Sequence, residues 1–193
     1  MIFPTKLLLL RVDVTNLQEI TDFLKFYLGS SVKIIKILDI YAITYDNISE
    51  NGLEETLNSF SSDSLISLNL FESETLKNYE DYLRALEFSK LFSRDLTQKV
   101  YNTEKDLLNL AVINNLDNKL VYKLAFRNYY NNQDMISVCK AMFKMNLNIS
   151  RAADYLYIHR NTLKYKLDRF YKDTNFDLRV FSDAALLDAI LKK

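Results

Sequence analysis

The hydrophobic positions in the first hundred residues alternate between two periods, which predicts alternating strands and helices. The apolar run at 6–14 is short enough for a buried strand, and residues 16–28 repeat apolar positions at helical spacing. Residues 33–45 hold two β-branched runs that part at Asp39, and a second helix and another strand are predicted at 53–60 and 65–70. The resulting βαββαβ order predicts a sheet with one face buried under two helices.

The pattern changes in residues 148–172, which predict two short helices around a tight turn. Ser150 is a favourable N-cap, and Ala152 and Ala153 place small side chains on one face of the first helix. Leu156 is its larger apolar anchor, and Ile158 marks the end of the turn. In the second helix the apolar side chains recur at i, i+4 and i+7, as Leu163, Leu167 and Phe170. This arrangement is typical of a helix-turn-helix that binds DNA.

Polar and basic side chains at the start and on the outer faces of the second helix are the candidates for contacting DNA. Arg160 is suited to guanine edges, and Asn161 and Thr162 are suited to bases or phosphate. His159 is either a DNA contact or a helix cap, and we favour the contact. The candidate set is His159, Arg160, Asn161, Thr162, Lys164, Tyr165, Lys166 and Arg169, of which Lys164, Lys166 and Arg169 are suited to phosphate.

Charge is distributed unevenly along the chain. Residues 144–172 contain seven basic and two acidic side chains, a net charge of +5, whereas the whole chain has 25 of each sign. The remainder therefore carries −5, so attraction for phosphate is concentrated at the second helix. Taken alone, a basic run more often indicates a solvated helix in an ordinary bundle. Together with the turn pattern, it favours DNA binding.

The residues that follow the turn resemble a known family. The run at 158–163 (IHRNTL), continued by Tyr165, Lys166 and Leu167, is similar to the C-terminal helix-turn-helix of PucR/CdaR-type bacterial transcriptional regulators. Residues 149–171 also resemble the factor-for-inversion-stimulation (Fis) type of helix-turn-helix, which shares the paired alanines and the Thr-Leu. That second family stops soon after its recognition helix, whereas this chain continues through a helical pattern at 177–190, which favours the PucR-like assignment.

The resemblance implies an α+β fold with three segments. Residues 1–100 are expected to form a βαββαβ domain that is a degenerate relative of the GGDEF cyclase domain, and residues 101–127 to form connecting helices. Residues 128–193 are then the all-helical DNA-binding domain. The implied function is sequence-specific regulation of transcription. The expected partners are double-stranded DNA and a second copy of the chain, because one recognition helix contacts too few base pairs for high affinity.

Residue types at the predicted strand connections argue against an enzyme. GGDEF cyclases place a glycine-rich turn between the second and third strands, where the backbone approaches the nucleotide. This chain has Ile37, Leu38, Asp39 and Ile40 there, and its two glycines are Gly29 and Gly52. Asp13 stands alone near the end of the first strand and is more often a solvated strand end than a metal ligand. We therefore expect no enzymatic activity, no cofactor and no metal.

Two alternatives to a regulator remain open. One is a protein-interaction module whose basic helix binds an acidic partner, and the other is a nucleotide-processing enzyme of the cyclase type. The sequence identifies no small-molecule effector.

The remaining composition suits a protein of the cytoplasm. The apolar run at 7–10 is too short to span a bilayer, so no membrane association is expected. Cys139 is the single cysteine, which suits a reducing compartment, and it lies on an apolar stripe that predicts a small buried side chain.

Overall fold

The computed structural model describes residues 4–29, 32–37, 39–45, 52–94, 100–116 and 118–192. The chain divides into two compact units, residues 1–110 and residues 111–193. The first unit contains a five-stranded sheet with helices, and the second is helical. The predicted α+β class is therefore confirmed.

The first unit follows the predicted βαββαβ order and adds a short fifth strand. Its strands lie in the order β2-β3-β1-β4-β5, with all neighbours antiparallel except the parallel pair β4 and β5. The elements are β1 (Lys6–Val12), α1 (Leu17–Leu28), β2 (Lys33–Ile37), β3 (Ile40–Tyr45), α2 (Leu53–Ser64), β4 (Leu68–Glu72), α3 (Tyr79–Glu87), α4 (Ser89–Phe92) and β5 (Tyr101–Asn102).

Both faces of the sheet are buried, whereas the sequence predicted one. On the first face, Leu8 and Leu10 of β1 pack with side chains of α1 and α2, including Leu24 and Leu57. On the second face, Leu9 of β1 lies between Ala42 of β3 and Phe71 of β4. The ring of Phe71 stacks 5.3 Å from Phe88 and lies 6.3 Å from Phe92, so the segment of α3 and α4 covers this face. The continuous leucines of β1 are explained by this double burial.

Two predicted boundaries shift for local reasons. The first strand ends at Val12, because residues 14–16 form a 3₁₀ turn that leads into α1. Helix α2 extends to Ser64, beyond the predicted end at 60, and Leu65 ends it in the left-handed region with φ of 57°. The fourth strand consequently begins at Leu68 rather than at 65. Leu38, in the predicted connection between β2 and β3, lies outside the described residues.

A mostly buried carboxylate joins four strands of the first unit. Glu72 of β4 accepts hydrogen bonds from the hydroxyl of Tyr45 on β3 and, at 2.5 Å, from that of Tyr101 on β5. The Lys6 ammonium on β1 lies 3.1 Å away. Burial, together with the Glu72 charge, raises the pKa of both tyrosines. These contacts neutralise and satisfy Glu72, so the group is structural.

The second unit packs its helices around one core. Helix α5 (Glu104–Ile113) spans the boundary between the units, and the later helices are α6 (Asn118–Phe126), α7 (Gln133–Lys144), α8 (Ile149–Tyr155), α9 (Arg160–Thr174) and α10 (Phe181–Leu191). Helix α10 packs on α6 and α7 through Ala184, Leu187 and Ile190. No helix in the described part of the chain is both long and apolar enough to cross a bilayer.

Candidate nucleic-acid interface

Helix α8 begins two residues earlier than it would with Ser150 as its N-cap. Its N-cap is Asn148, whose Oδ1 accepts a hydrogen bond from the Arg151 backbone N–H at 3.1 Å. The N-cap prediction for Ser150 is therefore wrong, and Ser150 is the second residue of the helix. Asn and Ser are similar as N-caps, so the sequence alone did not distinguish the two positions.

The turn between α8 and α9 is closed by backbone hydrogen bonds. The Ile158 N–H donates to the Ala153 carbonyl at 3.1 Å, and the Tyr157 N–H donates to the Asp154 carbonyl at 3.1 Å. Tyr157 has φ of 54°, the left-handed conformation that commonly ends a helix. Ala152 and Ala153 are buried, as predicted, and let α8 pack closely on its neighbours.

His159 is the N-cap of α9. Its Nδ1 accepts a hydrogen bond from the Asn161 backbone N–H at 3.2 Å, so the structure assigns His159 the capping role that the sequence left open beside a DNA contact. A neutral imidazole that accepts through Nδ1 carries its proton on Nε2. The exposed ring can therefore still donate a hydrogen bond to a neighbouring group.

The buried seam of α9 is the one predicted. Leu163, Leu167 and Phe170 are each at most 2% exposed. The Phe170 ring lies 5.2 Å from Tyr129 and 6.1 Å from Phe126, which fixes the helix on the core of the second unit. Because this seam faces inward, the opposite face of α9 is turned to solvent.

The candidate side chains fall into two groups. Arg160, Asn161, Thr162, Lys164, Tyr165 and Arg169 are exposed. Lys166 is only partly exposed, and its ammonium pairs with Asp134 in the first turn of α7. Arg169 lies 3.8 Å from Asp173, which also accepts a hydrogen bond from the Tyr129 hydroxyl at 2.7 Å. The structure thus places Arg160, Asn161 and Thr162 together at the exposed N-terminal end of α9. It pairs Lys166 with a residue of α7.

A further basic residue modifies the charge of this face. Arg179, in the segment between α9 and α10, donates to Asp168 at 2.6 Å and to Asp177 at 2.7 Å. The pKa of Arg179 is raised, mainly by its hydrogen bond to Asp177. Asp168 lies on the exposed side of α9, so Arg179 neutralises an acid beside the candidate residues. Sequence reasoning missed Arg179 because the pair spans eleven residues and a change of direction.

A lysine and a tyrosine lie together beside α8. The Lys144 ammonium, at the end of α7, lies 3.2 Å from the Tyr155 hydroxyl and 4.5 Å from the centre of its ring. The Lys144 ammonium therefore places a positive charge beside the exposed Tyr155 of α8.

The described residues contain no arrangement suited to metal binding. Among them, no group of three or more His, Cys, Asp or Glu side chains lies close enough to hold an ion. Asp13 is exposed after β1. Cys139 is fully buried, as predicted, and burial raises the pKa of its thiol to about 12.

Comparison with known proteins identifies the C-terminal domain. Residues 137–192 match the family model described as the PucR C-terminal helix-turn-helix domain. This match confirms the predicted resemblance for these residues and assigns them to the DNA-binding domains of transcription regulators.

The chain is also similar to a curated protein and to a solved structure. The chain is 38% identical over 69 residues to a "Leucine-rich protein" from Streptococcus dysgalactiae subsp. equisimilis; the match covers 35% of this chain and 24% of that relative, about a quarter of its length. Among solved structures, a regulator of polyketide synthase expression from Bifidobacterium adolescentis aligns with 97% of this chain and 79% of its own, with a TM-score of 0.48 and 15% identity.

Proposed function

We propose that this protein is a transcriptional regulator that binds specific DNA sites by inserting α9 into the major groove. The observation that carries the proposal is the exposed, basic N-terminal end of α9 above a buried apolar seam, within a domain of the PucR helix-turn-helix type. The first turns of such a helix come nearest to the base edges.

Each exposed candidate has a role suited to its chemistry. Arg160, at the start of α9, binds guanine through its two parallel donors, and Asn161 and Thr162 contact bases or phosphate. Tyr165 lies one turn further on the same face. Lys164 and Arg169 bind phosphate on the groove walls, and His159 donates from Nε2 to the backbone while it caps the helix.

Lys166 is proposed as a weaker contributor than its neighbours. Its ammonium is paired with Asp134, so contact with phosphate requires that pair to separate. The pair instead joins α9 to the first turn of α7.

The assembly and the first unit complete the proposal. The protein acts as a dimer, since two recognition helices supply the affinity that one lacks, and it works in the cytoplasm on the bacterial chromosome.

The first unit is a degenerate relative of the GGDEF domain without catalysis, a view supported by its βαββαβ order and by the residues between β2 and β3. Cyclic dinucleotide formed from guanosine triphosphate and magnesium, and abolished by Asp13→Ala, would contradict this view.

The test is selection of bound sites from a random DNA pool with the full chain, followed by affinity measurements on the selected site and on random duplex. Arg160→Ala should weaken binding to the selected site by about 1–3 kcal/mol and relax sequence preference, with less effect on random DNA. Lys164→Ala should weaken both and reduce the salt slope by roughly one unit.

Folding and specificity are controlled in the same experiment. Thermal unfolding must show that each variant retains its structure, and Lys33→Ala, on the edge strand of the first unit, controls for loss of a lysine. If the Arg160→Ala variant were folded and kept both its affinity for the selected site and its sequence preference, α9 would not be the element that recognises the bases. Binding to an acidic protein rather than to DNA would then explain the basic helix.

A further inference from the structure

Tyr157 is an aromatic residue that does not pack against the rest of the domain. Its side chain is 96% exposed, more than any other large apolar or aromatic side chain in the described residues. The folded chain therefore gains almost no burial from this ring. Ala153 and Leu163 are buried on either side of the turn, so the packing of the turn does not require a side chain at position 157.

The backbone at Tyr157 is also unfavourable for a tyrosine. Its φ of 54° lies in the left-handed region, where the Cβ of an L-residue crowds the following carbonyl and glycine is accommodated freely. The conformation is imposed by the turn, because the hydrogen bonds from Tyr157 and Ile158 to Asp154 and Ala153 close it. Glycine would satisfy the same turn without crowding, so Tyr157 does not contribute to the stability of the turn through its backbone conformation.

The position of Tyr157 indicates what its side chain contacts. It lies two residues before His159, the N-cap of α9, and three before Arg160. The segment from Lys144 to Lys172 is strongly basic, so the surface around the turn attracts phosphate. A phenol in this place can donate a hydrogen bond to a phosphate oxygen at the edge of the groove.

We propose that the Tyr157 hydroxyl binds a phosphate of the DNA backbone where α9 enters the groove. The inference rests on the proposed DNA binding and adds a contact that is independent of base sequence. Because the phenol carries no positive charge, its contact releases no counterion and contributes to affinity without contributing to the salt slope. This property separates Tyr157 from a lysine or arginine that binds phosphate.

Three variants of the full chain test the proposal. Tyr157→Phe removes only the hydroxyl, and Tyr157→Gly removes the side chain and relieves the backbone. Leu65→Gly is the matched control, because Leu65 has φ of 57° and is 90% exposed but lies in the first unit. Affinity for the selected site and for random duplex is measured at several salt concentrations, with thermal unfolding for each variant.

Tyr157→Phe should weaken binding to both DNAs by about 2–10-fold, the range for loss of one hydrogen bond, with an unchanged salt slope. Tyr157→Gly should bind at least as weakly yet unfold about 1–3 °C higher. Leu65→Gly should also gain stability and keep full affinity.

Wild-type affinity in Tyr157→Phe would overturn the proposal while leaving DNA binding intact, as would a change in the salt slope in either variant. Failure of the folded wild-type protein to bind any selected DNA would instead remove the proposed function itself.

Discussion

Arg179 holds Asp168 through a hydrogen bond of 2.6 Å between its guanidinium and the carboxylate, across the corner that follows α9. Asp168 lies on the solvent side of the same helix that carries Arg160 and Lys164. A bare carboxylate there would repel the phosphates that the neighbouring cations attract. Because the segment after α9 places Arg179 against Asp168, Arg179 offsets a negative charge on the proposed DNA-binding surface.

Arg179→Ala is expected to weaken DNA binding by about 2–5-fold, since exposed charge pairs are worth roughly 0.2–1 kcal/mol. Asp168→Asn in the same chain should restore most of this loss, because position 168 then carries no negative charge to repel phosphate. Lys192→Ala is the control: it breaks a comparable surface pair with Asp188 on α10. The measurement is affinity for the selected site at constant salt. Equal losses in the single and double variants would show that Arg179 acts by its own contact with DNA.

Asn148→Ala should lower the free energy of unfolding by about 1 kcal/mol, because it removes the side chain that caps α8. Ser150→Ala should change it far less, since Ser150 is exposed inside the helix. Chemical denaturation of both variants gives the comparison. A larger effect at Ser150 than at Asn148 would contradict the observed start of α8.

Leu187→Ala should destabilise the second unit by about 2–5 kcal/mol, because Leu187 is fully buried where α10 packs on α6 and α7. Leu191→Ala is the matched control, since this residue is only partly buried at the end of the helix. Deletion of residues 183–193 should lower stability further. An unchanged melting temperature in the truncated chain would show that α10 does not support the domain.

Cys139 should make the folded state sensitive to alkaline pH. Burial raises the pKa of its thiol from an ordinary value near 9 to about 12. Above pH 9 the unfolded chain loses this proton and the folded chain keeps it, so stability is full below pH 9 and falls as pH rises from 9 to 12.

Cys139→Ala removes this contribution. Urea unfolding at pH 8, 10 and 11 should give a shallower decline in the variant than in the wild type, whatever their difference at pH 8. Parallel declines would mean that the thiol reaches solvent in the folded state.

The helix-turn-helix could be predicted in detail because its signals are local. Ala152 and Ala153, and the seam of Leu163, Leu167 and Phe170, are spaced by the helical repeat itself and are buried as that repeat requires. The matched family domain at 137–192 confirms the type of helix-turn-helix.

The candidate site was predicted only as a set of residue types. Neither the pair of Lys166 with Asp134 on α7 nor the pair of Arg179 with Asp168 was predicted, because each joins two different elements, at separations of 32 and 11 residues. The conformation of Tyr157 also depends on the closed turn, since tyrosine by itself does not favour positive φ.

The sequence by itself determined the order of strands and helices, the α+β class and the inward face of α9, because hydrophobic periodicity is a property of neighbouring residues. Only the tertiary structure decided that β1 is buried on both faces, because Phe88 and Phe92 cover the second face by packing on Phe71 of the neighbouring strand. It also decided which charges near α9 are paired and which face solvent. Burial and ion pairing depend on distances between segments, and these are set when the chain packs.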